Sequence, residues 1–534
     1  MSSTMKKKTR LALLGLAIIS IFTFQFCDNE DLICPPSTAK ECYPLKQVIE
    51  DELIIELQPG YTQDMVLDSC NYDFFIFQLA TDFLELLPEQ IDSVTVLREC
   101  NCNLMLLQIH VDESIDINNG HSGSMSPPED QDDGSGGLIA SVGMNFNINI
   151  GPVNAPFDTM AINGADSICI KYDTDKDRLG ETLASDTTCK GVQLSNITDP
   201  NKIERLTIVA GIDTGADPNH SYGRKNVSSV SSSQLLYVSG EANSIFQTME
   251  SALPGGEIFI DGLDDNENCI TDDLWGVDYF HNDNNPLDRK GHGTHVTGTI
   301  LSGRIIDNSG IVMMTLQIGG YRGDTIDQEH FSCDLFSIIC AIDYAVTNGA
   351  DVLNMSLGYY SEYYNAPFYR QIRKASEAGM LMVTSAGNDA KNIDGCHHWP
   401  SNFSEYFPDH VIAVAALDTF TSTTTAFQLA PFSNYGQHAD IAAPGWRIKS
   451  AKAGSLDDYV YLSGTSMAAA VVSRRAAMIR DSVLAAGSTI TAAQIKTQIL
   501  SEAEVKLNLC VNGGRALTHR SDTSLLRNIG YLPQ

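Results

Sequence analysis

The chain has 534 residues, too many for one ordinary domain and enough for about three units. A hydrophobic share of 43% with 19% charged residues excludes a disordered or collagen-like chain. With 34 Lys and Arg against 67 Asp and Glu, the net charge of −33 excludes a broad phosphate-binding surface, so nucleic acid is not an expected partner.

The N-terminus carries an export pattern over residues 1–27. Lys6, Lys7, Lys8 and Arg10 precede an apolar run at 11–24, which is short for a bilayer span. Cys27, followed by Asp28-Asn29-Glu30-Asp31, resembles a bacterial lipoprotein processing site, although Phe26 departs from the small residue preferred there. The expected product is exported, either secreted or attached to a membrane through a lipidated Cys27. The chain has 13 Cys, so consuming Cys27 leaves an even number. In an exported chain that suggests disulfides, with no connectivity readable. Cys100-Asn101-Cys102 lacks the second Cys pair of a zinc site.

Residues 28–112 read as a small α+β unit. Its strands are Glu52-Leu53-Ile54-Ile55-Glu56-Leu57 and Leu104-Met105-Leu106-Leu107-Gln108-Ile109, with a helix-like stretch at 74–87 between them. Residues 113–140, dense in Gly, Ser, Pro and Asp, read as a flexible linker open to proteolysis. From 141 to 534 the pattern changes. Short apolar runs at 206–212, 311–316, 352–355, 381–384 and 411–415 suit parallel strands buried on both faces. Leu335, Ile338, Ile339, Ile342, Ala345 and Val346 recur at helical spacing before Asn348-Gly349, and a second helix covers 369–377. Alternating strands and helices predict an α/β fold, a mostly parallel central sheet flanked by helices. Functional residues are expected at the carboxyl ends of its strands.

Three motifs meet that expectation. The strand at 206–212 runs into Asp213-Thr214-Gly215, a tripeptide that aspartic proteases use in pairs and that occurs once here. Gly291-His292-Gly293-Thr294-His295 lacks the Glu-centred spacing of a zinc protease. Leu462-Ser463-Gly464-Thr465-Ser466-Met467-Ala468 sets a serine at the start of an Ala-rich helix, where the field favours developing negative charge.

In the order Asp…His…Ser these motifs resemble the subtilisin-like serine proteases, the subtilases, over roughly 208–517. The resemblance implies a subtilisin-like α/β fold with a catalytic core at about 206–517. It implies peptide-bond hydrolysis on protein or peptide substrates, with no cofactor for catalysis. Ser466 is the implied nucleophile, His292 the base (with His295 structural), Asp213 the residue that orients it, and Asn388 an oxyanion donor. It assigns Ser356, Leu357 and Gly358 to the strand that pairs with substrate, and Ser385, Ala386 and Gly387 to a second wall of the specificity pocket. The stretch from Cys396 to Pro400 falls near the pocket floor with unfamiliar spacing, leaving the preferred side chain open. The N-terminal unit matches a propeptide that assists folding and blocks the cleft, with cleavage expected within 113–140; a permanent accessory domain is the other reading.

Two features depart from the resemblance. Arg474 and Arg475 fall on a helix that should be largely buried, where charges need partners. They keep a catalytically inactive binding protein of the same fold open as an alternative. Between Asp213 and His292, the residues Asp264, Asn266, Asn268 and Asp272 or Asp273 alternate like a calcium-binding loop, with Cys269 where a Gly is usual, so a structural calcium ion is expected.

Overall fold

A computed structural model describes residues 42, 48–67, 71–84, 86–100, 103–111, 138–148, 150, 207–217, 220, 276–282, 285–301, 311–321, 331–418, 428–455 and 458–517. These lie within one compact unit, Pro36–Gln534. The export signal, Cys27, the 113–137 linker and the 264–273 loop lie outside them.

The N-terminal part is a four-stranded antiparallel sheet. It contains β1 (Val48–Leu57), two short helices α1 (Gln63–Leu67) and α2 (Tyr72–Gln78), then β2 (Ile91–Cys100), β3 (Leu104–Val111) and β4 (Ile139–Phe146), in the spatial order β2-β3-β1-β4. The 140/141 boundary expected from composition therefore falls inside β4. That strand pairs with β1, for example Ile55 opposite Val142, and belongs to the N-terminal sheet.

The second part begins with β5 (Thr207–Asp213), β6 (Gly276–Asp278), α3 (His292–Leu301), β7 (Ile311–Gln317), β8 (Gly319–Tyr321) and β9 (Phe331–Cys333). It continues through α4 (Leu335–Thr347), β10 (Val352–Met355), β11 (Tyr359–Tyr360), α5 (Ala366–Glu377), β12 (Leu381–Ser385) and β13 (His398–Trp399). It closes with α6 (Phe403–Tyr406), β14 (Val411–Asp418), β15 (Gln428–Leu429), β16 (Ile441–Pro444), β17 (Ile448–Ala451), β18 (Tyr459–Leu462), α7 (Thr465–Ala485), α8 (Ala492–Glu502), β19 (Glu504–Val505) and β20 (Arg515–Ala516). The central sheet runs β19-β20-β16-β14-β12-β10-β5-β7-β6. Every pairing from β20 to β6 is parallel; β19 and the side strand β15 are antiparallel. Strands β5, β7, β10 and β12 are buried throughout, so each is a continuous apolar run rather than an alternating one.

One hydrophobic cluster spans both parts. Leu53, Ile55, Met105, Leu107 and Phe146 of the small sheet share it with Phe336, Ile339, Tyr359 and Phe368 of the α/β body. Polar contacts fix the same seam. Arg98 pairs with Asp334, the N-cap of α4, at 2.5 Å, and Asn145 Oδ1 accepts from the Phe336 N–H at 3.1 Å. Asn365 caps α5 through the Phe368 N–H and donates from Nδ2 to the Met144 carbonyl. Two disulfides, Cys42–Cys396 and Cys100–Cys340, cross between the parts; Cys333 and Cys510 are thiols.

Candidate active site

Strand β5 ends on Asp213, whose Oδ1 accepts from His292 Nδ1–H and from the Thr214 N–H, each at 2.7 Å. Both side chains are buried, so no water competes with this charge-assisted bond. The bond holds the imidazole proton on Nδ1 and leaves Nε2 as the basic nitrogen. His292 opens α3, and Gly293 permits that helix to close on the strand end, since a Cβ there would lie 2.0 Å from the Gly215 carbonyl oxygen.

Asp288, which no motif singled out, organises this corner. Its Oδ1 accepts from the N–H groups of Lys290 and Gly291 and from Thr214 Oγ1–H; its Oδ2 accepts from the N–H and hydroxyl of Thr294. Thr214 Oγ1 in turn accepts from the Gly293 N–H at 2.9 Å. One carboxylate thus ties the end of β5 to the first turn of α3. Burial raises its pKa above the ordinary 3.8, against the hydrogen bonds from Gly291 and Thr294. The only signal in the sequence was an Asp three residues ahead of a Gly at a helix entrance.

His295 faces β17 and β18 instead. Its Nε2 donates to the carbonyls of Ile448 and Val460, and burial drops its pKa to about 3. Ser466 is the second residue of α7, within reach of that helix's N-terminal field. Its hydroxyl donates to the Ser356 carbonyl at 3.3 Å, and its own carbonyl accepts from Ser356 Oγ at 3.0 Å. His292 Nε2 has no hydrogen-bond partner among the described residues. The structure therefore joins Asp213 to His292 but not His292 to Ser466. Hydrogen bonds between a nucleophile and its base are often long or absent without substrate and tighten only when it is bound.

The serine's backbone is held by a relay. Ser473 Oγ donates to Asn354 Oδ1, Asn354 Nδ2 to Ser356 Oγ, and Ser356 Oγ to the Ser466 carbonyl. Asn388 Oδ1 accepts from the N–H and hydroxyl of Thr465, which leaves its Nδ2 as the outward donor. The two expected pocket walls adjoin: Ser385 Oγ donates to the Leu357 carbonyl, and the Gly387 N–H donates to Thr465 Oγ1. Gly358 and Gly387 both face the ring of His398.

The two arginines find partners. Arg475 forms a two-pronged pair with Glu502 at 2.7 and 2.5 Å. Arg474 is buried and donates to the Ile300 carbonyl, in the last turn of α3, where a cation complements the helix dipole. The calcium candidates Asp264, Asn266, Asn268, Asp272 and Asp273 lie outside the described residues. Among those described, no cluster of three or more His, Cys, Asp and Glu could hold a metal.

The profile described as "Subtilase family" matches residues 205–531, more than half of the chain. The chain belongs to the subtilase family. It is 34% identical over 204 residues to a thermophilic serine proteinase of Bacillus sp. (strain AK1), covering 38% of this chain and 46% of that one. A thermostable alkaline protease of Halalkalibacterium halodurans is 34% identical over 207 residues, covering 39% and 51%. Subtilisin DY of Bacillus licheniformis is 30% identical over 229 residues, covering 43% of this subtilase and 76% of that chain. The matched span is about half the length of the first two relatives. A solved cold adapted subtilisin-like serine proteinase aligns with a TM-score of 0.39 at 24% identity, covering 59% of this chain and 89% of that one.

Proposed function

We propose that this subtilase is an exported serine endopeptidase, made as a zymogen, that hydrolyses protein or peptide substrates through an acyl-enzyme on Ser466 without a cofactor. The observation that carries the reading is the buried Asp213–His292 bond, which leaves Nε2 basic and unclaimed. Ser466 Oγ attacks the peptide carbonyl and passes its proton to His292 Nε2. The C–N bond then breaks as the departing amine takes that proton, and water, deprotonated by the same nitrogen, releases the acyl group. Asp213 stabilises the imidazolium. The Ser466 N–H and Asn388 Nδ2 serve as donors to the oxyanion. A fluorophosphonate that labels the wild-type chain, but not Ser466→Ala, together with loss of peptide hydrolysis in that variant, is the expected result. Hydrolysis that survives Ser466→Ala sinks the reading. A catalytically inactive binding protein of the same fold draws on the turn of the Ser466 hydroxyl toward Ser356, and it predicts no labelling.

The zymogen reading draws on how the small sheet and the chain beyond β4 are held. Asn147 bridges Asp334, the Ile148 N–H donates to the Cys333 carbonyl, and Lys290 Nζ donates to the Ile150 carbonyl. These contacts run along β9 to Lys290, two residues before His292, and lie C-terminal to the expected 113–140 cut. What supports a removable unit is that the small sheet packs on α4 and α5, through Arg98–Asp334 and Glu56–Arg370. A structural calcium ion on Asp264, Asn266, Asn268, Asp272 and Asp273 and membrane attachment through a lipidated Cys27 complete the proposal. A Tm unchanged by chelator and by added calcium removes the first. An unmodified mature N-terminus beyond Cys27 removes the second.

A further inference from the structure

The two glycine walls meet a side chain that neither motif contains. His398 opens β13 and stands opposite Tyr360 in the β11–β13 ladder. A Cβ added to Gly358 would come within 2.2 Å of His398 Cε1 and 2.4 Å of Nε2; one added to Gly387 would come within 3.0 Å of Nε2. The Cε1–Nε2 edge of the ring therefore packs against both glycines, with Asn434 Nδ2 still closer to Gly387, at 2.3 Å from the added Cβ.

The opposite edge fixes the ring's tautomer. Ser401 spends its hydroxyl proton on the His398 carbonyl at 2.6 Å, so Ser401 Oγ must accept from Nδ1–H at 2.8 Å. The proton sits on Nδ1, and Nε2 carries a lone pair. No described residue donates to that nitrogen, and it is not among the fully buried atoms that lack a partner. Burial lowers its pKa to about 4, keeping the ring neutral near pH 7. The support behind the ring is locked as well. Tyr360 packs edge-on against it at 5.0 Å, donates its own hydroxyl to Asp389 and accepts from Asn434 Nδ2.

We propose that His398 is a specificity-determining residue of this subtilase. It shortens the pocket and selects, immediately before the scissile bond, a short side chain with an O–H or N–H donor, such as serine or asparagine, over aromatic and long aliphatic ones. The inference rests on the peptidase reading above. A ring against both walls rejects bulk by overlap. An acceptor that bound substrate takes out of water discriminates more sharply than an apolar wall, because a substrate without the donor leaves it unpaired.

The test uses the full chain, nicked within 113–140 and treated with thiol to release the N-terminal unit, and one peptide varied only at that position through Ser, Asn, Ala, Leu and Phe, with Ser466 titrated by fluorophosphonate. Wild type is expected to favour Ser and Asn over Ala, Leu and Phe by about tenfold or more in kcat/KM. His398→Gly is expected to move the Phe-to-Ser ratio by about 10²-fold toward Phe. His398→Leu, which keeps the bulk, should still exclude Phe but lose the preference of Ser over Ala. Labelled wild type that prefers Phe or Leu, or labelled variants with an unchanged ranking, overturns the pocket assignment alone. Wild type that neither labels nor cleaves overturns the peptidase reading and this inference with it.

Discussion

Burial holds His295 to a pKa of about 3 and His398 to about 4, against 6.5 for a free imidazole. As pH falls through about 6.5 the unfolded chain takes up these protons first, so both groups contribute full stability above that value and lose it progressively toward 4 and 3. Thermal melts are expected to show Tm falling between pH 7 and pH 4.5. His398→Gln should flatten the fall; an equal slope in the variant assigns the loss elsewhere. Asp213→Asn removes the acceptor that fixes the His292 tautomer, and kcat is expected to drop by about 10⁴ with KM little changed. Asn388→Ala should cost about 10²–10³ in kcat, a magnitude carried over from a subtilisin, the same family. The Asp213–His292 pair was legible because each residue sits in a short motif whose spacing the chemistry demands. Asp288 was not, because its partners Thr214 and Thr294 are brought to it by folding; for His398 the sequence marked only the 396–400 stretch, because Gly358 and Gly387 reach its ring from two separate loops.

At the scale of elements, continuous apolar runs disclosed the parallel strands β5, β7, β10, β12 and β14 to within a few residues. Strand β2 escaped notice. Its burial alternates along Ser93 to Glu99, with Val94 and Val96 on the neighbouring core and Ser93, Thr95, Leu97 and Glu99 outward, so it lacks a run. The composition of 113–140 suggested a boundary that β4 crosses, because Ile139 and Val142 pair with β1 whatever the glycines before them. The junction of β5 and α3 is a further case of an assembly invisible to local pattern. Asp288→Ala strips five donors of their acceptor, leaving buried N–H and O–H groups unpaired. Loss of about tenfold or more in kcat/KM, rescued in part by Asp288→Asn, is expected from steady-state kinetics, with Ser466 labelling slowed in parallel. Arg475→Ala, by contrast, breaks a partly buried pair whose side chains bond to neither His292 nor Ser466, and should lower stability by about 1 kcal/mol, read from denaturant midpoints, without altering catalysis.

Over the whole molecule, the small sheet and the α/β body share one core and two covalent ties. Those disulfides close sequence separations of 354 and 240 residues. Removing a tie across so long a loop, as in Cys100→Ser, should lower stability by about 2–5 kcal/mol in chemical denaturation. A cut anywhere within 113–140 leaves Cys42 and Cys100 on the N-terminal fragment and Cys396 and Cys340 on the other. The fragments are expected to migrate together on a denaturing gel without thiol and apart with it; separation without thiol contradicts the two pairings. On the zymogen reading proposed above, proteolysis by itself frees no diffusible inhibitor. Vacating the cleft is then a two-key event, in which a nick unlocks the backbone and a reductant unlocks the two disulfides.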